Sequence, residues 1–336
     1  MEPPTRRTTA ARFPSSRSRA VRSPARLRAA VAACGVVLAA TAACGGSDSG
    51  STRSVTVAIP PAVSGIDVYA AQDQGIFARH HLDVDVRVLN GGAAIVPALE
   101  AGSVQIGESN VLSVIQGAVR GVKEPCFSGA NTDPASGHYL SLVAAPGAGP
   151  GLRGKTVAVN ATSGINELLV DAYLTAHGTA PSSVHSIGMQ YPDMPASLGG
   201  KRVVAAMTTE PFTSLALARG ATLLTGTPLS AVPGRPTYSC WNAEGSWLSA
   251  HRTVAADFAA AMRETDAYIA AHPKQFRALA GQHLKILTKI RDSMTLPVFT
   301  DALDAGDITA WQTAAKKYGL LTRTPPPGDV LQVVKR

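Results

Sequence analysis

The sequence contains no Gly-x-Ser-x-Gly elbow, no His-Glu-x-x-His pair, no P-loop and no dinucleotide glycine fingerprint. Its histidines are scattered, and His80-His81 sits in a charged corner between a helix and a strand, where a solvated surface pair belongs. Acid–base, nucleophilic and metal-assisted chemistry have no visible home, so the expectation is a protein that is not an enzyme and needs neither cofactor nor metal. Cysteine is scarce, with four residues, and no histidine stands at ligand spacing beside Cys126 or Cys240, which speaks against a zinc site. The apolar run from Ala29 to Ala40 is shorter than the ~20 residues that cross a bilayer. No basic cluster is interleaved with aromatics, so nucleic acid is not an expected partner.

The net charge of +8 is local rather than general. Eight arginines (6, 7, 12, 17, 19, 22, 26 and 28) and one acid, Glu2, place +7 of it within residues 1–43, and the chain from Cys44 onward is close to neutral. An arginine-rich start, a short apolar run and the small residues Thr41-Ala42-Ala43 form an export signal. The cysteine directly after them makes this leader resemble that of a bacterial lipoprotein. That resemblance implies removal of residues 1–43, lipid attachment at Cys44 and anchoring on the outer face of the cell membrane. Arg6-Arg7 lacks the apolar follow-up of a twin-arginine signal, and Val31-Ala32-Ala33-Cys34 has too few apolar residues before it to be the cleavage box. The Gly/Ser-rich residues 44–53 read as a flexible tether. Roughly 290 residues remain, enough for one large domain or two medium lobes. In an oxidising compartment Cys126 and Cys240 are natural disulfide partners, with two separate buried thiols as the alternative.

Two blocks of similar grammar stand in tandem. Ser54 to Ile59 alternates β-branched residues and stops at Pro60-Pro61, which predicts a strand. A helix over Ile66 to Gln74 breaks at Gly75, and Leu82 to Val88 alternates apolar and charged residues as a half-buried edge strand does. A short helix opens at Gly91-Gly92, a strand spans Val104 to Gly107, and Ser109-Asn110 cap the next helix. After the loop 144–151 the pattern restarts with a strand over Lys155 to Val159, a turn at 160–164 and a helix from Ile165 to His177 closed by Gly178. Strands near 184–188, 202–207 and 222–225 alternate with helices near Pro195 and over Phe212 to Arg219. From about Thr253 the chain is mainly helical, with helices over Val254 to His272 and Pro273 to Lys285. Strands alternating with helices point to an α/β fold with largely parallel sheets. The expected organisation is lobe 1 from 54–140 and 226–336, and lobe 2 from 141–225, with a small-molecule cleft between them.

A strand, then small polar residues, then a helix recurs four times: at Ser64-Gly65, Asn90-Gly91-Gly92, Glu108-Ser109-Asn110 and Thr162-Ser163-Gly164. Each leaves free backbone N–H groups at the end of a sheet, and glycine lets a ligand come close. Four such loops facing one cleft would bind a ligand.

The run Ala70 to Phe77, followed by His81-Leu82-Asp83-Val84-Asp85-Val86, resembles the opening of the nitrate/sulfonate/taurine and thiamine-pyrimidine-precursor (SsuA/THI5-like) family of ABC-transporter solute-binding proteins. Pro97 to Gly107 resembles its next segment, Leu152 to Val159 its second-lobe start, and Thr209-Glu210-Pro211-Phe212 its Glu-Pro turn. The likeness runs from about 55 to 320. His81, Gln105 and Val204 depart from the family's usual glycine, aspartate and aspartate. The resemblance implies a type II periplasmic-binding-protein fold: two α/β lobes with mainly parallel sheets that close on a small-molecule ligand and hand it to an ABC permease and its ATPase. It implies a monomer held to the membrane by lipid, with first-lobe contacts from Ser64, Gly65, Asn90, Gly91, Gly92, Ala93, Ser109 and Asn110. Thr162, Ser163 and Gly164 would supply second-lobe contacts, with Tyr191 and Asp193 in the same cleft. Glu210 would bind an amine or tie down its turn. Cys126 and Cys240 would sit on adjoining strands near the hinge. Sulfonate or taurine, nitrate and amino-pyrimidines are the ligand types implied, and the lack of Lys or Arg in these loops favours a ligand that is not a bare anion. A lipid-anchored sensor is the alternative function. Enzymes on this fold that make the thiamine pyrimidine carry a cysteine-rich motif that this chain lacks.

Overall fold

The computed structural model describes residues 52–334, so the expected leader, Cys44 and most of the expected tether lie outside the described residues. Strands run over β1 Arg53–Ile59, β2 Leu82–Val88, β3 Ile106–Asn110, β4 Cys126–Thr132, β5 Leu140–Ala144, β6 Thr156–Val159, β7 His185–Gly188, β8 Ala205–Thr209, β9 Thr222–Thr225, β10 Ser239–Asn242 and β11 Val298–Phe299. Helices run over α1 Ile66–Asp73, α2 Ile76–Arg79, α3 Gly92–Glu100, α4 Val111–Val119, α5 Ile165–Ala176, α6 Met194–Gly199, α7 Phe212–Ala218, α8 Gly245–Ala250, α9 Arg252–Ala271, α10 Pro273–His283, α11 Thr288–Ser293, α12 Ala305–Lys317 and α13 Pro327–Val330. Among the described residues no helix is long and apolar enough to cross a membrane.

The strands form two sheets, ordered β11-β4-β10-β3-β1-β2 and β7-β6-β8-β5-β9. The expected α/β fold is present, but the sheets are mixed rather than mainly parallel. In the first, β1 runs parallel to β2 and β3, while β10 is antiparallel to β3 and β4 and β11 is antiparallel to β4. In the second, β6 is parallel to β7 and β8, and β5 is antiparallel to β8 and β9. Two of the antiparallel strands, β5 and β10, are those by which the chain enters a sheet from the other one. It leaves the first sheet after Thr132, builds every strand of the second between Leu140 and Thr225, and re-enters the first at Ser239. A strand that enters from the other sheet arrives without a βαβ crossover, which is what enforces parallel pairing.

Local chemistry explains the elements that position the site. In β2 the apolar Leu82 and Val84 are buried while Asp83 and Asp85 face solvent, as suits a strand paired only with β1. Gly75 takes a left-handed φ of 64°, which ends α1 and starts α2. The twenty-residue α9 returns to cover the first sheet, where Phe258 meets Trp241 edge-on at 5.0 Å and stacks on Phe77 at 5.7 Å. Cys126 on β4 and Cys240 on β10 are joined by a disulfide, both side chains fully buried. The structure extends or shifts two expected strands: β3 reaches Asn110, and β8 runs to Thr209, because their polar ends stay in the ladder.

Candidate functional site

Two adjoining cavities are lined by residues that follow strands of both sheets. The inner one, about 390 Å³ of empty space counted together with its opening to solvent, is lined by Pro60, Ala62, Ser64, Gly91, Gly92, Glu108, Asn110, Tyr139, Asn160, Tyr191, Thr209, Tyr238 and Ser239. Ser64 follows β1, Glu108 and Asn110 end β3, Asn160 follows β6, Tyr191 follows β7 and Thr209 ends β8. The lining is thus assembled at the carboxyl ends of parallel strands, where α/β folds hold their ligands. Tyr139 and Tyr238 come from the two segments that pass between the sheets. The outer cavity, about 560 Å³, shares Gly92, Asn110 and Asn160 and adds Ala93, Gln116, Arg120 and the start of α5 from Thr162 to Ile165. Gln116 Nε2 reaches across to donate to the Ser163 carbonyl at 2.7 Å.

Asn110 is the N-cap of α4, its side chain accepting from Ser113 N at 2.9 Å. Gly92 lets α3 approach α4: a Cβ there would stand 2.8 Å from Ser113 and 2.9 Å from Asn110 Nδ2. We expect Asn110→Ala to cost about 1 kcal/mol of stability, read from urea unfolding, because the cap bond is lost from a helix start that also borders the cavity.

Glu108 dominates the electrostatics. It is buried, and burial pushes its carboxyl up to about 7, held back by hydrogen bonds from Asn131, Ser64 and Ser239. Asn131 Nδ2 donates to Glu108 Oε1 at 2.7 Å and Ser239 Oγ donates to it at 3.1 Å. Asp67, buried behind it at the start of α1, is raised well above the usual carboxylate range by burial and by the charge of Glu108. The phenols are arranged in pairs with asparagines: Tyr139 donates to Asn131 Oδ1 and Tyr238 to Asn166 Oδ1, each at 3.1 Å, while Asn166 Nδ2 donates to Tyr191 at 2.7 Å. Burial pushes Tyr191 up to about 12, so the phenols stay neutral at any physiological pH.

Of the residues singled out from the sequence, Ser64, Gly91, Gly92, Asn110 and Tyr191 line the inner cavity, and Gly92, Ala93, Asn110, Thr162, Ser163 and Gly164 line the outer one. Each of the four polar loops therefore contributes to the lining. Gly65, Asn90, Ser109, Asp193 and Glu210 are in neither lining. Gly65 packs on Ile59 and Pro60, and Asp193 is exposed. Glu210 is fully buried and accepts from Ser214 N, Ser214 Oγ and Thr295 N, with His138 Nδ1 at 2.9 Å, so its carboxylate secures the turn between β8 and α7. The amide of Ser163 is taken by the side chain of Glu167, so this helix start already holds a carboxylate of its own chain. Tyr139, Asn160, Thr209, Tyr238 and Ser239 are lining residues that the sequence did not point to as contacts, and Glu108, within one of the four polar loops, was not among the expected contacts either. Among the described residues no group of three or more His, Cys, Asp or Glu is placed to hold a metal ion.

A family model described as NMT1/THI5 like matches residues 64–276. No curated protein matches the chain. Among solved structures, the alkanesulfonate-binding protein SsuA from Xanthomonas axonopodis pv. citri, bound to MOPS, superposes with a TM-score of 0.71 at 15% identity, covering 84% of this chain and 100% of that one. The ligand-binding component of an ABC-type import system from Staphylococcus aureus, with zinc bound, gives 0.72 at 14% identity, over 84% of this chain and 97% of that one. The periplasmic nitrate-binding protein NrtA from Synechocystis gives 0.69 at 11% identity, over 84% and 86%. These identities establish a shared fold, that of periplasmic binding proteins.

Proposed function

This chain belongs to the NMT1/THI5-like family, and from that premise we propose that it is the extracytoplasmic solute-binding component of an ABC importer. The observation that carries the reading is one cavity walled by strand ends of both sheets and by the two segments that connect them, with Glu108, Asn110, Asn160 and Thr209 among its lining residues. A small polar solute enters between lobe 1 (54–140 with 226–336) and lobe 2 (141–225) and touches both. Because it interacts with both walls only when they are close, it shifts the population towards the closed form. The Gln116–Ser163 bond across the mouth is a contact of that closed form. The closed form docks on a membrane permease whose ATPase drives uptake. A lipid on Cys44 holds the protein at the outer face of the membrane. The neighbours that bind alkanesulfonate and nitrate, and the thiamine-pyrimidine branch of the family, bound the solute class: sulfonate or taurine, nitrate, or an amino-pyrimidine. The chain binds and releases the solute without changing its bonds.

Isothermal titration of the chain from Ser54 onward tests this against taurine, alkanesulfonates, nitrate and hydroxymethyl-aminopyrimidine. We expect one-site binding of at least one of these, with a fall in the radius of gyration in solution scattering. A panel without any binder would sink the reading.

A further inference from the structure

The lining of the inner cavity contains one charged residue, Glu108, and no lysine, arginine or histidine. Four donors around it are already used within the protein. Tyr139 and Tyr238 give their protons to Asn131 and Asn166, and Asn131 and Ser239 give theirs to Oε1 of Glu108. Three buried atoms on residues of the lining, Glu108 Oε2, Asn160 Oδ1 and Thr209 Oγ1, have no partner in good hydrogen-bonding geometry; Ser64 lies beside the Glu108 carboxyl, and the Thr209 hydroxyl can donate as well as accept. Glu108 is only 4% exposed. A buried carboxylate oxygen with no donor is costly, and the cost is relieved when a ligand brings one.

We propose that Glu108 is the specificity-determining residue of the cleft and receives a positively charged nitrogen of the solute, a primary ammonium or a protonated amino-heterocycle, among Tyr139, Tyr191 and Tyr238. Aromatic rings around a carboxylate suit a cation and not an oxyanion. A bare nitrate or sulfonate in the inner cavity would face Glu108 with no opposite charge to offset it. An anionic group on the same solute has Arg120 in the outer cavity, so a zwitterion fits with its amine inward. Glu108 then separates this chain from a binder of simple anions, while Asn160 and Thr209 accept the remaining N–H groups.

The inference rests on the solute-binding reading and is tested by matched probes. Taurine is titrated against ethanesulfonate, which keeps the anion and lacks the amine; ethylammonium, hydroxymethyl-aminopyrimidine and nitrate complete the set. Amine-bearing probes should bind at least ~tenfold more tightly than the amine-free ones. Glu108→Gln, which preserves shape and can still accept from Asn131 and Ser239, should remove at least ~tenfold of that affinity. Thr209→Val, which replaces the hydroxyl by a methyl of similar size, should cost roughly threefold, and circular dichroism establishes that both variants are folded. Ethanesulfonate or nitrate binding as tightly as the amines, or an unchanged affinity in Glu108→Gln, overturns this inference and leaves solute capture standing. Failure of every probe overturns both.

Discussion

Replacing Cys126 and Cys240 together by alanine should lower the unfolding free energy by about 4–5 kcal/mol, because the bond between them closes a very long loop. The two residues are 114 positions apart, and the chain-entropy value for a loop of that order is about 4.7 kcal/mol. Every strand of the second sheet lies inside that loop. In the unfolded chain the bond keeps β4 and β10 together; without it, the whole of β5 to β9 is free to separate them. The sulfurs are fully buried, so their removal also leaves unfilled space between the sheet and its covering residues. The bond's position matters as much as its loop. One crossing segment departs directly after β4 and the other arrives directly before β10, so the disulfide ties together the strands from which both crossings hang. Urea unfolding of the reduced parent should show most of this loss, the double variant should lose somewhat more because it also lacks the sulfurs, and the thermal midpoint of the variant should fall by roughly 10 °C or more. A loss below about 1 kcal/mol would show that the bond does not constrain the unfolded chain.

The parts legible in the sequence are those whose signal is local. Alternation marked β1 and β2, including the edge position of β2, and the glycines at 75 and 178 marked the ends of their helices. Strands β4 and β10 carry no such signal. Their sequences, Cys-Phe-Ser-Gly-Ala-Asn-Thr and Ser-Cys-Trp-Asn, are nearly all buried and small or polar, so no face alternates. They are strands because each finds a partner more than a hundred residues away, which no window of sequence reveals. The site divides the same way. Glycine, serine and asparagine after a strand announce a helix start, and those loops reach the cavities. Tyr139 and Tyr238 do not announce themselves, because their place depends on two crossings of the chain being side by side. Glu108 was within reach: once Asn110 is placed at the cleft, strand parity puts the residue two before it on the same face and sends Ser109 to the other. Glu210 misleads in the opposite sense. An acid beside a cleft motif invites a ligand role, yet four protein groups already occupy it.

At pH 8 the Glu108→Gln chain should be more stable than the parent by about 1–3 kcal/mol, though it has lost a functional group. Burial raises the Glu108 carboxyl from 4.5 to about 7, so the folded chain holds this proton more tightly than the unfolded chain does. Below pH 4.5 both states are protonated and the group costs nothing in ionisation. Between 4.5 and 7 the unfolded chain releases the proton while the folded chain retains it, and stability falls as pH rises. Above 7 the full cost is in place, about 1.4 kcal/mol for each pH unit of displacement. Glutamine escapes all of it. The other groups around Glu108 do not reverse the sign: Asp67 is itself raised by burial and by the Glu108 charge, and Tyr139, Tyr191 and Tyr238 are raised and stay neutral. Glu124, Asp133 and Asp266 are also raised by burial, so parent and variant both lose stability with rising pH, and only their difference reports Glu108. Urea unfolding at pH 5, 6, 7 and 8 should show that difference small at the acid end and growing through 7. A constant difference across the series would mean that Glu108 does not titrate as described. The cost is the counterpart of function. An ionised, half-partnered carboxylate destabilises the free protein, and a cation bound beside it offsets that loss by mass action in the parent but not in the variant. Adding an amine-bearing solute at pH 8 should therefore reverse the order of the two chains.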